Sequence, residues 1–144
     1  MASARELRDE VRQRMSEEIG TLVNEDPEAV AFLYPSPYTV GMSSLGYQSL
    51  YRQINTTPGR SAHRAFLPDD VERFRSSRTP LFTYEGDRPV ADYPVVAVSV
   101  AYELEIAGLV QALELAGITP LAEDRDGRHP FILAGGPLTF SNPL

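Results

Sequence analysis

Residues 95–100, Val-Val-Ala-Val-Ser-Val, restrict the fold more than any other part of this chain. The run is β-branched and apolar at successive positions. It therefore predicts a strand covered on both faces, as a central strand of a parallel sheet is. Around it, strand and helix patterns alternate. Residues 29–34 form a short apolar run that predicts a first strand, stopped by Pro35-Ser36-Pro37-Tyr38 because proline donates nothing to a ladder. A loop through Gly41 leads to Ser43 or Ser44 as N-cap of a helix over 45–55, with Leu50, Tyr51 and Ile54 inward. A second, shorter strand is expected at 64–67. Asp69 and Glu72 have capping-box spacing and open a short helix carrying Val71 and Phe74. Residues 79–92 are punctuated by Pro and Gly, with at most a minor strand at 81–84. The pattern over 103–116 predicts a helix stopped by Gly117 and Pro120. A last strand at 130–134 runs into Gly135-Gly136-Pro137.

Strands alternating with helices imply right-handed crossovers and an open parallel sheet with helices on both faces. The expected fold is α/β, flavodoxin-like or Rossmann-like, with strand order 2-1-3-4 and the fifth strand missing. On that reading the chain is a fragment of a longer protein. Its last strand then offers a free edge through which the domain is expected to self-associate, the alternative being that residues 139–144 fold back over it. Ahead of the α/β domain of residues 26–144, residues 1–25 read as an amphipathic helix. Ser3 and Glu6 have capping-box spacing, and Leu7, Val11, Met15, Ile19, Leu22 and Val23 make one apolar stripe ending near Asn24. This helix is expected to pack on the domain body, the alternative being a docking helix for another domain.

Composition narrows the chemistry. The chain has 144 residues, 42% hydrophobic and 23% charged, which suits one globular domain. Its net charge of −7, with no basic cluster, repels phosphate backbones and anionic headgroups, so neither nucleic acid nor a membrane surface is an expected partner. No apolar run approaches the roughly 20 residues needed to span a bilayer, and the N-terminus has no signal-peptide core. A cytoplasmic location is the expectation. There is no cysteine, hence no thiolate for an iron–sulfur cluster or zinc and no thiol nucleophile. There is no lysine either, which removes a Schiff base and the P-loop lysine.

Open doubly wound sheets bind ligands over the carboxyl ends of their strands, where the strand order reverses. Here that point lies between the first and third strands. The loops meeting there are 35–46, 99–103 and 135–137. Their glycines allow a flat ligand to come close, and their hydroxyls and small residues suit a large neutral cofactor tail better than a triphosphate. The plainer alternative is that the glycines only make turns. Gly41 and Gly46 have the outer spacing of a P-loop without its lysine.

Three segments carry a family resemblance: Tyr34-Pro35-Ser36-Pro37-Tyr38-Thr39-Val40-Gly41-Met42-Ser43-Ser44-Leu45-Gly46-Tyr47-Gln48, then Ser99-Val100-Ala101-Tyr102-Glu103-Leu104-Glu105, then Ala134-Gly135-Gly136-Pro137. Together they resemble, over about residues 29–144, the N-terminal cobalamin-binding-like domain of a family of radical S-adenosylmethionine proteins. The resemblance implies an accessory domain that binds and orients cobalamin. The implied contact residues are Tyr38, Gly41, Met42, Ser43, Gly46, Ser99, Tyr102, Gly135, Gly136 and Pro137. Ser99 would touch the nucleotide tail, Gly135 and Gly136 would leave room for it, and Tyr38 or Met42 could face the cobalt, the alternative for each being a packing role. The usual Asp-x-His-x-x-Gly is absent, and no histidine occurs between Tyr34 and Gly46, so cobalamin would bind without histidine ligation. His63 and His129, at the opposite end of the sheet, read as surface or capping residues.

In the resembled family the chemistry belongs to a following barrel domain, the implied partner. There three cysteines hold a [4Fe–4S] cluster that cleaves S-adenosylmethionine. No catalytic residue is assigned in this chain. Glu103 and Glu105 diverge on their helix and serve its dipole. The rival reading is a cobalamin-type fold without cofactor, acting as a docking or substrate-positioning module. A receiver-like domain is disfavoured, since the strands end Tyr34-Pro35 and Ser99-Val100 with no phosphoacceptor aspartate.

Overall fold

A computed structural model describes residues 2–23 and 28–141. Four parallel strands, β1 (Val30–Tyr34), β2 (Ala62–Phe66), β3 (Val95–Ser99) and β4 (Phe131–Gly135), form one sheet in the order β2-β1-β3-β4. The expected class and strand order are those observed. Helices are α1 (Ala4–Glu17), α2 (Tyr38–Gly41), α3 (Leu45–Thr56), α4 (Val71–Ser76), α5 (Glu105–Leu115) and α6 (Leu138–Ser141). None is long and apolar enough to cross a membrane, among the described residues.

Local chemistry explains most boundaries. Ser3 and Glu6 form the reciprocal capping box of α1, and Ser44 caps α3 by accepting from the Tyr47 amide. Gly117, at φ +73, follows the end of α5 in a backbone region where a β-carbon is costly. The cap of α4 is Asp70 instead of Asp69; its carboxylate accepts from the Glu72 and Arg73 amides, while Asp69 pairs with Arg14. The stretch 81–84 makes one antiparallel bridge, Phe82 to Pro89, and no strand.

Four expectations need correction. The N-terminal helix stops at Glu17, not near Asn24, which itself lies outside the described residues. Glu18 turns extended, and its carboxylate pairs with Arg64 on β2, so a long-range ion pair wins over helical periodicity. Leu7 and Val11 join the common core, but Ile19 is fully exposed. On α3 the inward residues are Tyr47, Tyr51 and Asn55, whereas Leu50 is exposed. His63 is neither a surface nor a capping residue: it is buried in β2, its Nδ1 2.6 Å from the Tyr93 hydroxyl.

The fourth correction concerns β3, which is central but not buried throughout. Val96 and Val98 are buried, while Val95, Ala97 and Ser99 are half-buried. The same face continues onto β4, where Phe131 and Leu133, the partners of Val95 and Ala97, are exposed. Right-handed crossovers cause this. The β1-to-β2 and β3-to-β4 connections run toward opposite edges of the sheet, so α3 and α5 cover opposite faces. The α3 face is therefore left bare over β3 and β4.

Candidate functional site

The carboxyl ends of β1, β3 and β4 meet as expected, yet the candidate residues divide into two groups. One group surrounds Ser99 and Gly135, which are register partners on β3 and β4. Ser99 is half-buried, and Gly135, Pro137 and Tyr102 are exposed. A β-carbon built on Gly135 meets nothing within 4 Å. This edge is open. Gly136 differs: at φ +131, its β-carbon would stand 2.2 Å from the Val100 carbonyl oxygen. The space there is used by the chain's own backbone.

The other group turns toward β2. Tyr38 stacks on Tyr84, its ring centroid 5.5 Å away, and meets the Phe66 ring edge-on. Its hydroxyl is pushed up to about 12 by burial and by the neighbouring Glu18 carboxylate. The Met42 sulfur lies 3.5 Å from Arg64 Nη1. Gly41 is buried where a β-carbon would strike the Phe66 ring at 2.5 Å. Ser43 donates to the Thr39 carbonyl at 2.7 Å, and Gly46 is exposed within α3. Tyr38 and Met42 thus serve packing around Arg64, beside the buried Gly41. Exchanges at two of these glycines should separate them: Gly46→Ala gains about 0.5–1 kcal/mol of helix propensity, whereas Gly136→Ala loses about 1–3 kcal/mol to overpacking, both read by urea unfolding.

Sequence reasoning missed the cluster that Met42 joins. The Arg64 side chain is 1% exposed. It pairs with Glu18 through both terminal nitrogens (Nη2 to Oε1 at 2.8 Å) and with Glu85 through Nε at 3.0 Å, under the rings of Tyr51 and Tyr84. The Glu85 carboxylate also accepts from the Arg64 amide at 2.8 Å, and the Tyr84 amide donates to the Arg64 carbonyl at 2.7 Å. Residues 84–85 thereby close the outer edge of β2. Burial opposes the charge of Arg64, but the two carboxylates hold its pKa above the ordinary value. Burial also pushes the Glu85 carboxyl up, against Arg64. One signal was available in the sequence: an arginine inside an apolar strand, Ala62–Phe66, needs a buried partner.

Glu105, expected only to complement the dipole of its helix, has a different place. The structure starts α5 at Glu105, not Glu103, and buries its carboxylate at the switch point between β1 and β3. The Tyr34 hydroxyl donates to Glu105 Oε1 at 3.2 Å, and the Ala101 amide points at Oε2 from 3.5 Å. Burial and this carboxylate push the Tyr34 hydroxyl up. Behind them Gly108 lets α5 touch β1; its β-carbon would lie 2.2 Å from the Pro35 carbonyl oxygen. His129 caps no helix; in the turn before β4 its Nδ1 accepts from the Asp126 amide. Among the described residues, no group of three or more His, Asp or Glu side chains is placed to hold a metal ion.

A four-stranded parallel sheet in this order, with a hydroxyl and an open glycine on its carboxyl edge, defines the class of doubly wound α/β domains. Residues 46–144, well over half of the chain, match the family described as "Radical SAM proteins, N-terminal". The chain belongs to that family. The match contains the Ser99 and Gly135 loops and Glu105, while the segment before Gly46 lies outside it. No curated protein and no solved structure matches the chain.

Proposed function

We propose that this region of a radical S-adenosylmethionine protein is an accessory domain that holds a cobalamin-type cofactor over the carboxyl ends of β1, β3 and β4. The observation that supports it is the open edge at Ser99 and Gly135, at the ligand-binding end of a doubly wound sheet. A hydroxyl and an unhindered glycine side by side suit a nucleotide tail. For the cobalt the fit differs: Tyr38 and Met42 are engaged by Tyr84, Phe66 and Arg64, and no histidine stands in the first loop. The cofactor would therefore be held by its tail and rim, without a protein ligand on the metal. When bound, such a group supplies methyl-transfer chemistry; the chain binds and orients it.

The chain contains no cysteine, so a [4Fe–4S] cluster that cleaves S-adenosylmethionine would take its thiolates from a barrel domain outside these residues. We propose that this barrel domain packs on the bare face of β3 and β4, at Phe131 and Leu133.

Titration of the domain with hydroxocobalamin tests the cofactor. The expected result is weak binding, with an absorbance spectrum free of histidine coordination, and loss of at least about tenfold in affinity in Gly135→Trp. Gly135 has free space around it, so this variant keeps its fold. Unshifted affinity in Gly135→Trp and Ser99→Trp puts the site elsewhere. Absence of binding by both calorimetry and absorbance favours the docking or substrate-positioning module, a reading the protein-filled surroundings of Tyr38 and Met42 already suit.

A further inference from the structure

Glu105 is 7% exposed, sits at the switch point, and is the first residue of α5. A buried carboxylate is costly unless its charge is paired or its oxygens are saturated with donors. Glu85 meets that demand with Arg64. Glu105 does not: among the described residues no arginine pairs with it. Its two oxygens can accept about four hydrogen bonds. They receive one from Tyr34 at 3.2 Å, longer than the roughly 2.5–2.7 Å of a charge-assisted hydroxyl bond. The Ala101 amide, at 3.5 Å, lies at the outer limit of a bond. Acceptor capacity is thus left over where open sheets bind ligands.

Resting on the cofactor reading above, we infer that the Glu105 carboxylate is a binding anchor that accepts N–H donors from a ligand carrying neutral primary amides. On that reading these donors are the amide side chains of the corrin rim. The Tyr34 hydroxyl fills one acceptor position of the carboxylate from the β1 side and leaves the others for the ligand, and Gly108 brings α5 close to the end of β1. The anchor stands between the ends of β1 and β3, whereas Ser99 and Gly135 end β3 and β4. Rim and tail therefore have separate holders.

Two probes separate them: hydroxocobalamin, and cobinamide, which keeps the amide rim and lacks the nucleotide tail. Glu105→Gln retains an oxygen for Tyr34 but loses the charge and one acceptor. It should weaken both probes by about tenfold or more. Gly135→Trp should weaken hydroxocobalamin and leave cobinamide unchanged. Tyr34→Phe removes the internal bond while keeping the carboxylate, and should change binding of either probe by no more than about twofold, a shift of roughly 0.4 kcal/mol. Unchanged affinity in Glu105→Gln overturns the anchor alone. Equal losses in Glu105→Gln and Tyr34→Phe also overturn it, because the pair is then only a structural clamp. No binding of either probe by the wild-type domain overturns the cofactor reading, and the anchor with it.

Discussion

Arg64→Leu should destabilise the domain by about 3–5 kcal/mol, a large part of the roughly 5–15 kcal/mol that holds a domain together. The cost comes from what is left behind, not from the lost attraction. The Glu85 side chain is 0% exposed, and without Arg64 it becomes a buried acid with no cation. Glu18, 11% exposed and at the end of α1, regains water by swinging out, which costs less. The segment 84–85 would also lose its purchase on the edge of β2, since the Arg64 guanidinium and amide both bind Glu85. Urea unfolding followed by circular dichroism gives the number. Pairing Arg64→Leu with Glu85→Leu should recover most of it, because no unpaired charge then remains inside. A single-variant loss below about 1 kcal/mol would make the cluster a surface-grade ion pair and sink this account.

The Arg64 cluster is not legible in the sequence, whereas most of the fold is. The alternation of apolar runs with helical patterns was enough for a parallel sheet in the order 2-1-3-4, and Ser3, Ser44 and Gly117 marked helix ends correctly because capping chemistry is local. Glu18 and Glu85 stand 46 and 21 positions from Arg64, and no local pattern connects them. The same contact explains the early stop of α1, since the apolar stripe continues past Glu17 in sequence but Glu18 turns toward Arg64. At the site, the loops were legible from glycines and prolines, but the directions of their side chains were not. Whether Tyr38 and Met42 point into a crevice or under α1 depends on where Phe66 and Tyr84 lie. Glu105 escaped because a two-residue shift in the start of α5 decides which acid points inward. Periodicity fixes neither the helix start nor the burial of one face of β3.

The isolated 144-residue chain should self-associate through β4, and the geometry of that strand says how. In a parallel ladder alternate residues turn their amides and carbonyls to alternate neighbours. Phe131 donates to Pro94 and Gly135 accepts from Val100, so Phe131, Leu133 and Gly135 face β3, leaving the backbone groups of Ile132 and Ala134 at the outer edge. No described strand pairs with them. An unpaired edge is a template for another chain. Beside it Phe131 is 68% and Leu133 56% exposed, continuous with the half-buried Val95 and Ala97, so edge pairing also removes apolar surface from water. The turn of α6 does not shield this face with its aromatic residue, because Phe140 is itself exposed. Sedimentation at micromolar to millimolar concentrations should show a dimer or larger species, and the Ile132 and Ala134 amides should exchange slowly in it. Phe131→Glu combined with Leu133→Glu should return a monomer with a nearly unchanged unfolding midpoint, since both side chains are already largely in water. A wild-type chain that stays monomeric across this range, with fast exchange at Ile132 and Ala134, would mean that the edge is open to water and drives no association.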